Sequence, residues 1–451
     1  AAPGQLGRIR VLGKVQRLAE EMEQHPLTGQ LGIAHTRWAT HGEPSERNAH
    51  PHVCQDRCAL VHNGIIENHG VLRQAQEANG HVFTSDTDTE VIVHAVHDQL
   101  AAGQPLLEAV RRTVATLEGA YALGVIDTQE PDRLVAARHG SPLVIGLGFG
   151  ENFIASDVFA LLPVTQRFLF LEEGDMAEIR LDKVAVFDRE GQPVTRPVRE
   201  SSLSADAVDR GGFRHYMQKE IFEQPRALAD TLEGRISGDH VLPEAFGQGA
   251  PAILKSIQAI QIVACGTSYH AGLVARHWIE SSTPIPCQVE VASEYRYRRH
   301  VVPEHALFVA ISQSGETADT LAALRLAKRL GYAATLAICN APESSLVRES
   351  DLVLPTHAGP EIGVASTKAF TTQLTALLLL MAAIGRYAGF IDTDEAGLIE
   401  SLRALPGRAR AFLALDAQVA LIAEQFADKH HALFLGRGDQ YPIALEGALK
   451  L

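Results

Sequence analysis

The chain has 451 residues, which suggests about three compact domains. Its composition, 46 % hydrophobic and 21 % charged, is typical of a soluble globular protein and excludes global disorder or a fibrous repeat. The formal charge of -14 argues against non-specific nucleic-acid binding. The longest apolar run, residues 376–384, is roughly half of the ~20 residues that a membrane span needs, so no membrane span is predicted. Five cysteines without a C-x-x-C pair fit a reducing compartment.

The first third has the pattern of an α+β fold. Short runs of strand character occur at 31–35, 58–62, 143–147, 152–155, 167–171, 176–180 and 184–188, with glycine at many breaks. Helical spacing occurs at 90–101 and 106–117. These elements predict two packed sheets with helices over residues 1–187. Residues 188–250 have the composition of a linker that contains a short helix near 218–223.

From residue 251 the pattern changes to alternating strands and helices. Apolar strands are predicted at 260–264, 306–311, 335–340 and 352–355, with helices from Tyr269, at 318–330 and at 366–388. This alternation predicts an α/β domain with a parallel, doubly covered sheet over residues 251–391. A further strand at 432–436 and a helix from Ile443 repeat the pattern, so residues 423–451 are expected to begin a second copy of that domain.

Two loops of the α/β domain have the features of a phosphate site. Residues Cys265 to Ser268 and Ser312 to Thr317 each connect a predicted strand to a predicted helix, and 363–368 is a third small-residue segment. Helix N-termini attract anions, and serine and threonine hydroxyls add donors. Capping of the helices by these hydroxyls is the structural alternative for one such loop alone. Because the two loops contain no Lys or Arg and no G-K-[ST], they favour a small phosphomonoester over a nucleotide.

The first third carries polar motifs suited to an amino-acid substrate. An arginine in the segment 35–42 and an aspartate in the segment 85–90 are able to clamp a carboxylate and an ammonium group, and Asn63-Gly64 offers the amide and backbone N–H that an oxyanion needs. A polar hairpin with a glycine turn is the structural alternative for Asn63-Gly64. A metal site is not predicted, because no H-E-x-x-H or matching carboxylate spacing accompanies the dense histidines. Those histidines are His35, His41, His50, His52 and His62.

The motifs occur together in an order that resembles one enzyme family. They are H-T-R-W-A-T-H-G, N-A-H-P-H, V-H-N-G-I-I-E-N, S-D-T-D-T-E, C-G-T-S-Y, S-Q-S-G-E-T-A-D-T, G-V-A-S-T-K-A-F-T-T-Q and L-G-R-G-D-Q-Y-P-I-A-L-E-G-A-L-K-L. The chain resembles the bacterial glutamine–fructose-6-phosphate aminotransferases (isomerising) over nearly its whole length. The resemblance implies a class II glutaminase of the N-terminal-nucleophile type followed by two α/β sugar-isomerase domains. It also implies a cytoplasmic homodimer that needs no metal or organic cofactor.

In this family, glutamine supplies ammonia through an internal channel, and fructose 6-phosphate becomes glucosamine 6-phosphate while glutamate is released. By resemblance Arg37, Thr40, His41 and Asp88 hold glutamine, Asn63 and Gly64 form the oxyanion hole, and Trp38 gates the channel. Lys450 lies near the isomerisation centre; the Glu446–Lys450 spacing by itself indicates only a surface ion pair. The remaining matches to the sugar-phosphate site are Cys265, Thr267, Ser268, Ser312, Gln313, Ser314, Thr317, Val364 and Ser366.

The chain also departs from the family pattern at both ends. The family nucleophile is a cysteine at the mature N-terminus, whereas the chain begins at Ala1, and Cys54 and Cys58 lie in a variable stretch that cannot supply it. The chain ends at Leu451, before the catalytic histidine and C-terminal tail of the family. We therefore expect a fragment, truncated at both ends and inactive, that retains the binding loops.

Other functions remain open at the level of the sequence. One is a non-catalytic sugar-phosphate sensor built on isomerase domains, which predicts no glutamine site. Another is an enzyme with the same two modules that acts on a different sugar phosphate. Amidophosphoribosyl transfer is disfavoured, because no phosphoribosyl-pyrophosphate loop is visible.

Overall fold

A computed structural model of the chain describes residues 4–37, 42–201, 210–391 and 394–451. The chain divides into two compact units, Ala1–Ala205 and Asp206–Leu451. Each unit is described by itself.

The first unit combines four helices with short antiparallel strands. Its helices are α1 (Val15–Gln24), α2 (His69–Ala78), α3 (Glu90–Ala101) and α4 (Leu106–Val114). Its strands are β1 (His52–Cys54), β2 (Cys58–Ile66), β3 (Gly119–Asp127), β4 (Leu134–His139), β5 (Val144–Leu147), β6 (Asn152–Ala155), β7 (Arg167–Phe170), β8 (Met176–Ile179), β9 (Val184–Phe187), β10 (Pro193–Val194) and β11 (Val198–Glu200).

These strands form two sheets that face each other. The seven-stranded sheet has the order β1-β2-β3-β4-β8-β9-β10, and the four-stranded sheet has the order β11-β7-β5-β6. Successive residues of a strand point to opposite faces. Leu60 and Leu123 accordingly pack with α3 and α4, whereas Ala59 and Ala122 pack toward Ile145 in the space between the sheets. The expected α+β arrangement of packed sheets with helices is confirmed.

The sequence pattern missed five strands of this unit, namely β1, β3, β4, β10 and β11, and predicted one that does not form. Strands β3 and β4 lie in the middle of the larger sheet and are buried on both faces, so they lack the alternation of a half-buried strand. Their glycine and alanine content also lowers β propensity. The prediction of a strand at 31–35 is wrong, because residues 31–37 join no ladder with the strands of the described part of the chain.

The second unit alternates strands and helices. Its strands are β12 (Ile236–Ser237), β13 (His240–Val241), β14 (Ala259–Ala264), β15 (Cys287–Val291), β16 (Ala306–Ser312), β17 (Ala334–Cys339) and β18 (Leu352–Pro355). Its helices are α5 (Tyr216–Leu232), α6 (Ala250–Ser256), α7 (Gly266–Ser282), α8 (Ala292–Tyr295), α9 (Ala318–Leu330), α10 (Ser345–Glu349), α11 (Lys368–Ala388), α12 (Glu395–Leu413), α13 (Asp416–Glu424) and α14 (Gln440–Lys450).

The core of this unit is a five-stranded parallel sheet of order β15-β14-β16-β17-β18. Helices α7 and α11 cover one face, and α8, α9 and α10 cover the other. The predicted parallel, doubly covered sheet is confirmed. Helix α11 is apolar and long enough to span a membrane, but 78 % of its apolar 18-residue stretch is buried inside this unit. Its apolarity is therefore explained by its place in the core.

The segments outside the sheet differ in part from expectation. Residues 188–250, the expected linker, contain α5, and α5 packs against α11 and α12 of the second unit. The expected strand at 432–436 is wrong, because that segment is exposed and pairs with none of the described strands. A strand is stable only when a neighbour satisfies its backbone hydrogen bonds. The domain boundaries 1–187, 188–250, 251–391 and 423–451 stay predictions.

Candidate functional sites

In the first unit, Asn63 and Gly64 lie on β2, opposite β3. Gly64 has φ of +136°, a left-handed conformation that side chains rarely adopt. A Cβ atom at this position would lie 2.0 Å from the carbonyl oxygen of Ala120. Only glycine therefore allows β2 and β3 to approach this closely next to Asn63.

The Asn63 carboxamide is held in one orientation by His35. His35 Nε2 lies 2.7 Å from Asn63 Oδ1. Since the carboxamide oxygen can only accept a hydrogen bond, His35 donates from Nε2. This contact directs the Asn63 Nδ2 donor away from His35, as an oxyanion site requires. His35 was named from the sequence only as one of the dense histidines, and the structure shows it to be the support of Asn63.

Arg37 and Asp88 each form a hydrogen bond with the backbone of another segment. Arg37 Nη2 donates to the Gly42 carbonyl at 3.1 Å, and the buried Asp88 accepts from the Ile66 backbone N–H at 2.8 Å. Asn48 connects the segment at Glu43 with the segment just before Asp88, since its side chain donates to the Glu43 carbonyl at 3.0 Å and accepts from the Asp86 N–H at 2.9 Å.

Sequence reasoning missed Asn48, although it belongs to the N-A-H-P-H motif. The other candidates for glutamine binding and channel gating, Trp38, Thr40 and His41, lie outside the described residues.

Beside this site, the half-buried His35 packs against buried histidines. The ring centroids of His35 and His50 are 4.2 Å apart. The Thr89 hydroxyl lies 3.1 Å from His50 Nε2 and 2.9 Å from His62 Nδ1, so it bridges two rings. Burial lowers the pKa of His35, His50 and His62 below the ordinary value. These imidazoles are therefore neutral at physiological pH.

We expect the first unit to lose stability as the pH falls below about 6.5, because unfolded histidines then bind protons that the folded ones exclude. Each histidine that stays neutral contributes a slope of about 1.4 kcal/mol per pH unit. His50→Gln keeps a donor for Thr89, and it should remove the contribution of one histidine from the pH dependence of the unfolding free energy. Urea unfolding followed by circular dichroism, at about pH 7 and about pH 5, measures this slope. The control is His25→Gln at an exposed position, and equal slopes in both variants would contradict the expectation.

In the second unit, the predicted sugar-phosphate residues surround one cavity of about 420 Å³ at the carboxyl end of the parallel strands. Lys450 reaches the same cavity from α14. The structure thus brings together every residue that the resemblance assigns to this site. They are Cys265, Thr267, Ser268, Ser312, Gln313, Ser314, Thr317, Val364, Ser366 and Lys450.

Two of the cavity loops end at helix N-termini. Strand β14 leads through Cys265 into α7, and β16 leads through residues 312–317 into α9. Gly315 has φ of +67°, and a Cβ there would lie 2.0 Å from Ser344 Oγ, so this loop requires glycine. The Gly315 N–H also donates to Ser312 Oγ at 2.9 Å. The loops therefore present hydroxyls and unpaired helix N–H groups to the cavity, a neutral arrangement of donors suited to a phosphate.

Glu446 on α14 connects that helix to the cavity. It is only 5 % exposed and accepts from Thr267 Oγ1 at 2.9 Å and from His270 Nδ1 at 2.7 Å. Lys450 Nζ lies 2.9 Å from both Glu446 Oε1 and Thr267 Oγ1. The Glu446–Lys450 pair is therefore part of a mostly buried network. The i, i+4 spacing alone indicated a surface ion pair, because helical periodicity does not say which face another element covers.

A second support, which the sequence did not reveal, comes from α5. The buried Glu220 carboxylate accepts from the backbone N–H groups of Ile362 and Gly363 at 2.6 and 2.9 Å. Glu223 Oε2 receives a hydrogen bond from Lys368 Nζ at 2.6 Å. These contacts hold the segment that carries Val364 and Ser366. The only sequence signal was the interleaved charges of the expected linker helix.

We expect Glu220→Ala to weaken sugar-phosphate binding about tenfold, because two backbone donors lose a charged acceptor worth about 1.5 kcal/mol or more. The loop of Val364 and Ser366 would then no longer be held against the cavity. Calorimetric titration with fructose 6-phosphate measures the change. Glu233→Ala at the exposed end of α5 is the control. Equal affinities in the two variants would argue against a positioning role for Glu220.

Comparisons with known proteins agree with this division of the chain. The model of the glutamine amidotransferase domain matches residues 35–163. The model of the SIS domain matches residues 253–383. The first match covers the strands and loops around Asn63 and Asp88, and the second covers the parallel sheet with its cavity loops.

Relatives and one solved structure match across larger parts of the chain. The glutamine–fructose-6-phosphate aminotransferase (isomerising) of Shewanella oneidensis is 60 % identical over 99 % of this chain and 74 % of its own length. That of Escherichia coli is 60 % identical over 100 % of this chain and 74 % of its own length. The C-terminal domain of the Francisella tularensis glucosamine-fructose-6-phosphate aminotransferase is 48 % identical, with a TM-score of 0.52 over 54 % of this chain and 68 % of that one. The chain therefore belongs to the glutamine–fructose-6-phosphate aminotransferases (isomerising).

Proposed function

We propose that this chain carries the substrate-binding parts of a glutamine-dependent enzyme that aminates and isomerises fructose 6-phosphate to glucosamine 6-phosphate and releases glutamate. The observation that carries the proposal is the single cavity lined by every predicted sugar-phosphate residue, together with Lys450. The family membership and the glutamine amidotransferase match support the other half of the reaction.

In the sugar-phosphate half, the N-termini of α7 and α9 and the hydroxyls of Ser312, Ser314 and Thr317 hold the phosphate. Lys450 supplies a cation at the cavity wall, where it contacts Thr267. Movement of a proton between adjacent sugar carbons requires a positioned acid and base. Among the described residues that line this cavity, Lys450 is the charged one, and we propose that it takes part in this proton transfer.

In the glutamine half, Arg37 binds the α-carboxylate and Asp88 binds the α-ammonium group. Asn63 Nδ2, oriented by His35, and the Gly64 N–H donate to the oxyanion that forms at the side-chain amide. Burial raises the pKa of the Cys54 thiol to about 12. Burial also raises the pKa of Cys58. Neither thiol is thus a nucleophile at neutral pH, and we assign the covalent attack to neither of them.

Two further properties are proposed from the family resemblance. The protein is a homodimer, which sedimentation at several concentrations tests. It resides in the cytoplasm, a reducing compartment in which its cysteines stay free. Free thiols at Cys54, Cys58, Cys265, Cys287 and Cys339 support the second proposal.

Calorimetry on the whole chain tests both halves of the function separately. We expect glutamine and fructose 6-phosphate each to bind saturably. Asp88→Asn should weaken only glutamine binding, and Gln313→Ala only sugar-phosphate binding, each about tenfold or more. If the chain binds fructose 6-phosphate but does not bind glutamine, the result would instead favour a sugar-phosphate sensor. Tighter binding of another sugar phosphate would indicate a different substrate, and binding of neither ligand would refute the proposal.

A further inference from the structure

A second cluster of ligand-type side chains lies in the first unit, beside the helix that follows Asp88. Cys54 ends β1, His81 lies in the loop before α3, and His94 lies on α3. One ligand atom from each of the three residues lies within 4.8 Å of the others. Cys54 is 3 % exposed, His94 4 % and the His81 side chain 9 %, so the cluster is inside the unit.

The contacts within the cluster leave one of its buried polar atoms without a hydrogen-bond partner. His94 Nδ1 lies 3.2 Å from Cys54 Sγ, and the rings of His81 and His94 are 4.5 Å apart. The other nitrogen of His94, Nε2, is buried and has no hydrogen-bond partner, with Glu90 Oε1 at 3.8 Å. Buried polar atoms in proteins are generally paired. A His94 that binds a cation through Nδ1 would carry its proton on Nε2, where the Glu90 carboxylate faces it.

Asp98 gives a second, independent indication of a cation site. Its Oδ1 lies 2.7 Å from His81 Nε2. A carboxylate acceptor places the imidazole proton on Nε2 and leaves the lone pair on Nδ1. The same carboxylate–histidine pairing orients the histidine ligands of many metal sites.

We propose that Cys54, His81 and His94 bind a divalent d¹⁰ cation of the Zn²⁺ type. One thiolate and two imidazoles are borderline-soft ligands that suit tetrahedral zinc, with water in the fourth position. The Cys54 thiol releases its proton to solvent when the metal binds, and no electron is transferred. This site goes beyond the proposed function and shares no ligand with either substrate site.

The histidines that the sequence analysis considered for zinc were a different set, apart from this cluster. His81 and His94 are 13 positions apart in the numbering and 27 or more from Cys54. Sequence spacing therefore gave no motif, and only the packing of α3 against β1 brings the three together. A bound metal would link β1, the preceding loop and α3, and so brace the helix that follows Asp88.

Titration of the whole chain with Co²⁺ tests the proposal. We expect saturation at one Co²⁺ per chain, with the visible bands of tetrahedral cobalt, a thiolate-to-cobalt charge-transfer band, and displacement by Zn²⁺. Cys54→Ser and His81→Gln should each weaken Co²⁺ binding at least about 100-fold, and Cys54→Ser should abolish the charge-transfer band. Cys58→Ala is the matched control, because Cys58 is a buried cysteine opposite Cys54 that is not part of the cluster.

His81 lies at the edge of the cluster, so His81→Gln tests the site even where Cys54→Ser disturbs the fold. Circular dichroism of each apo variant establishes that it is folded. Absence of saturable Co²⁺ binding by the native chain would overturn the proposal. An unchanged Co²⁺ affinity in folded His81→Gln would overturn it as well, as would a charge-transfer band that persists in Cys54→Ser.

Discussion

Gly64→Ala is expected to lower the free energy of unfolding of the first unit by about 3 kcal/mol, the sum of left-handed strain and overpacking. The added methyl group would lie 2.0 Å from the Ala120 carbonyl oxygen, which is backbone and cannot rotate away. Strands β2 and β3 must therefore separate at this point. The affinity for glutamine should fall as well, because Asn63 on β2 would lose its alignment with His35.

Gly80→Ala is the matched control for this substitution. Gly80 also has a positive φ, of +92°, but a Cβ there meets no atom within 4 Å. It should cost only the backbone strain, about 1 kcal/mol. Hydrogen exchange followed by mass spectrometry on the β2 and β3 peptides reports the local stability. Equal protection in the two variants would show that the close approach of the strands is unimportant.

Glu446→Ala should release α14 from the second unit and weaken fructose 6-phosphate binding by a factor of about 30, equivalent to about 2 kcal/mol. The change removes the common acceptor of Thr267, His270 and Lys450. It leaves partly buried donors without a partner. We place the loss below that of a fully buried ion pair, because the Lys450 side chain is 23 % exposed and remains partly solvated.

Two measurements on this variant separate loss of the network from general damage. Amide exchange in α14 should become faster in Glu446→Ala, while exchange in the central strands β14 and β16 should not change. Glu424→Ala, at an exposed position on α13, should leave both the exchange and the sugar-phosphate affinity as they are. Slow exchange in α14 of the Glu446 variant would indicate that other contacts hold the helix.

The local pattern predicted much of the second unit. The bounds of α9 and β18 agree with prediction, and β14 and β16 differ by one residue at an end. Strong helical or buried-strand periodicity explains this agreement, since each element is specified by its own side chains. The cavity loops followed from the same pattern, because the carboxyl ends of parallel strands meet at one edge of the sheet.

Other features depended on contacts between segments far apart in sequence. Strands β3 and β4 were missed because burial on both faces removes the alternating signal. His35 supports Asn63 through a single side-chain contact. Glu220 likewise supports residues 362–363 with one side chain that reaches another segment. No local periodicity encodes such a pair.

The sequence by itself determined the two fold types, the family and the residue types at both sites, because motifs and periodicity are local properties of the chain. Only the tertiary structure decided which polar side chains support those motifs. In the folded chain, Glu446 and Lys450 belong to a mostly buried network. Glu220 of the expected linker supports the sugar-phosphate cavity. Cys54, His81 and His94 lie next to one another. The physical reason is that burial and hydrogen-bond partners are set by packing between distant segments, and packing alone determines what an ionisable side chain contacts.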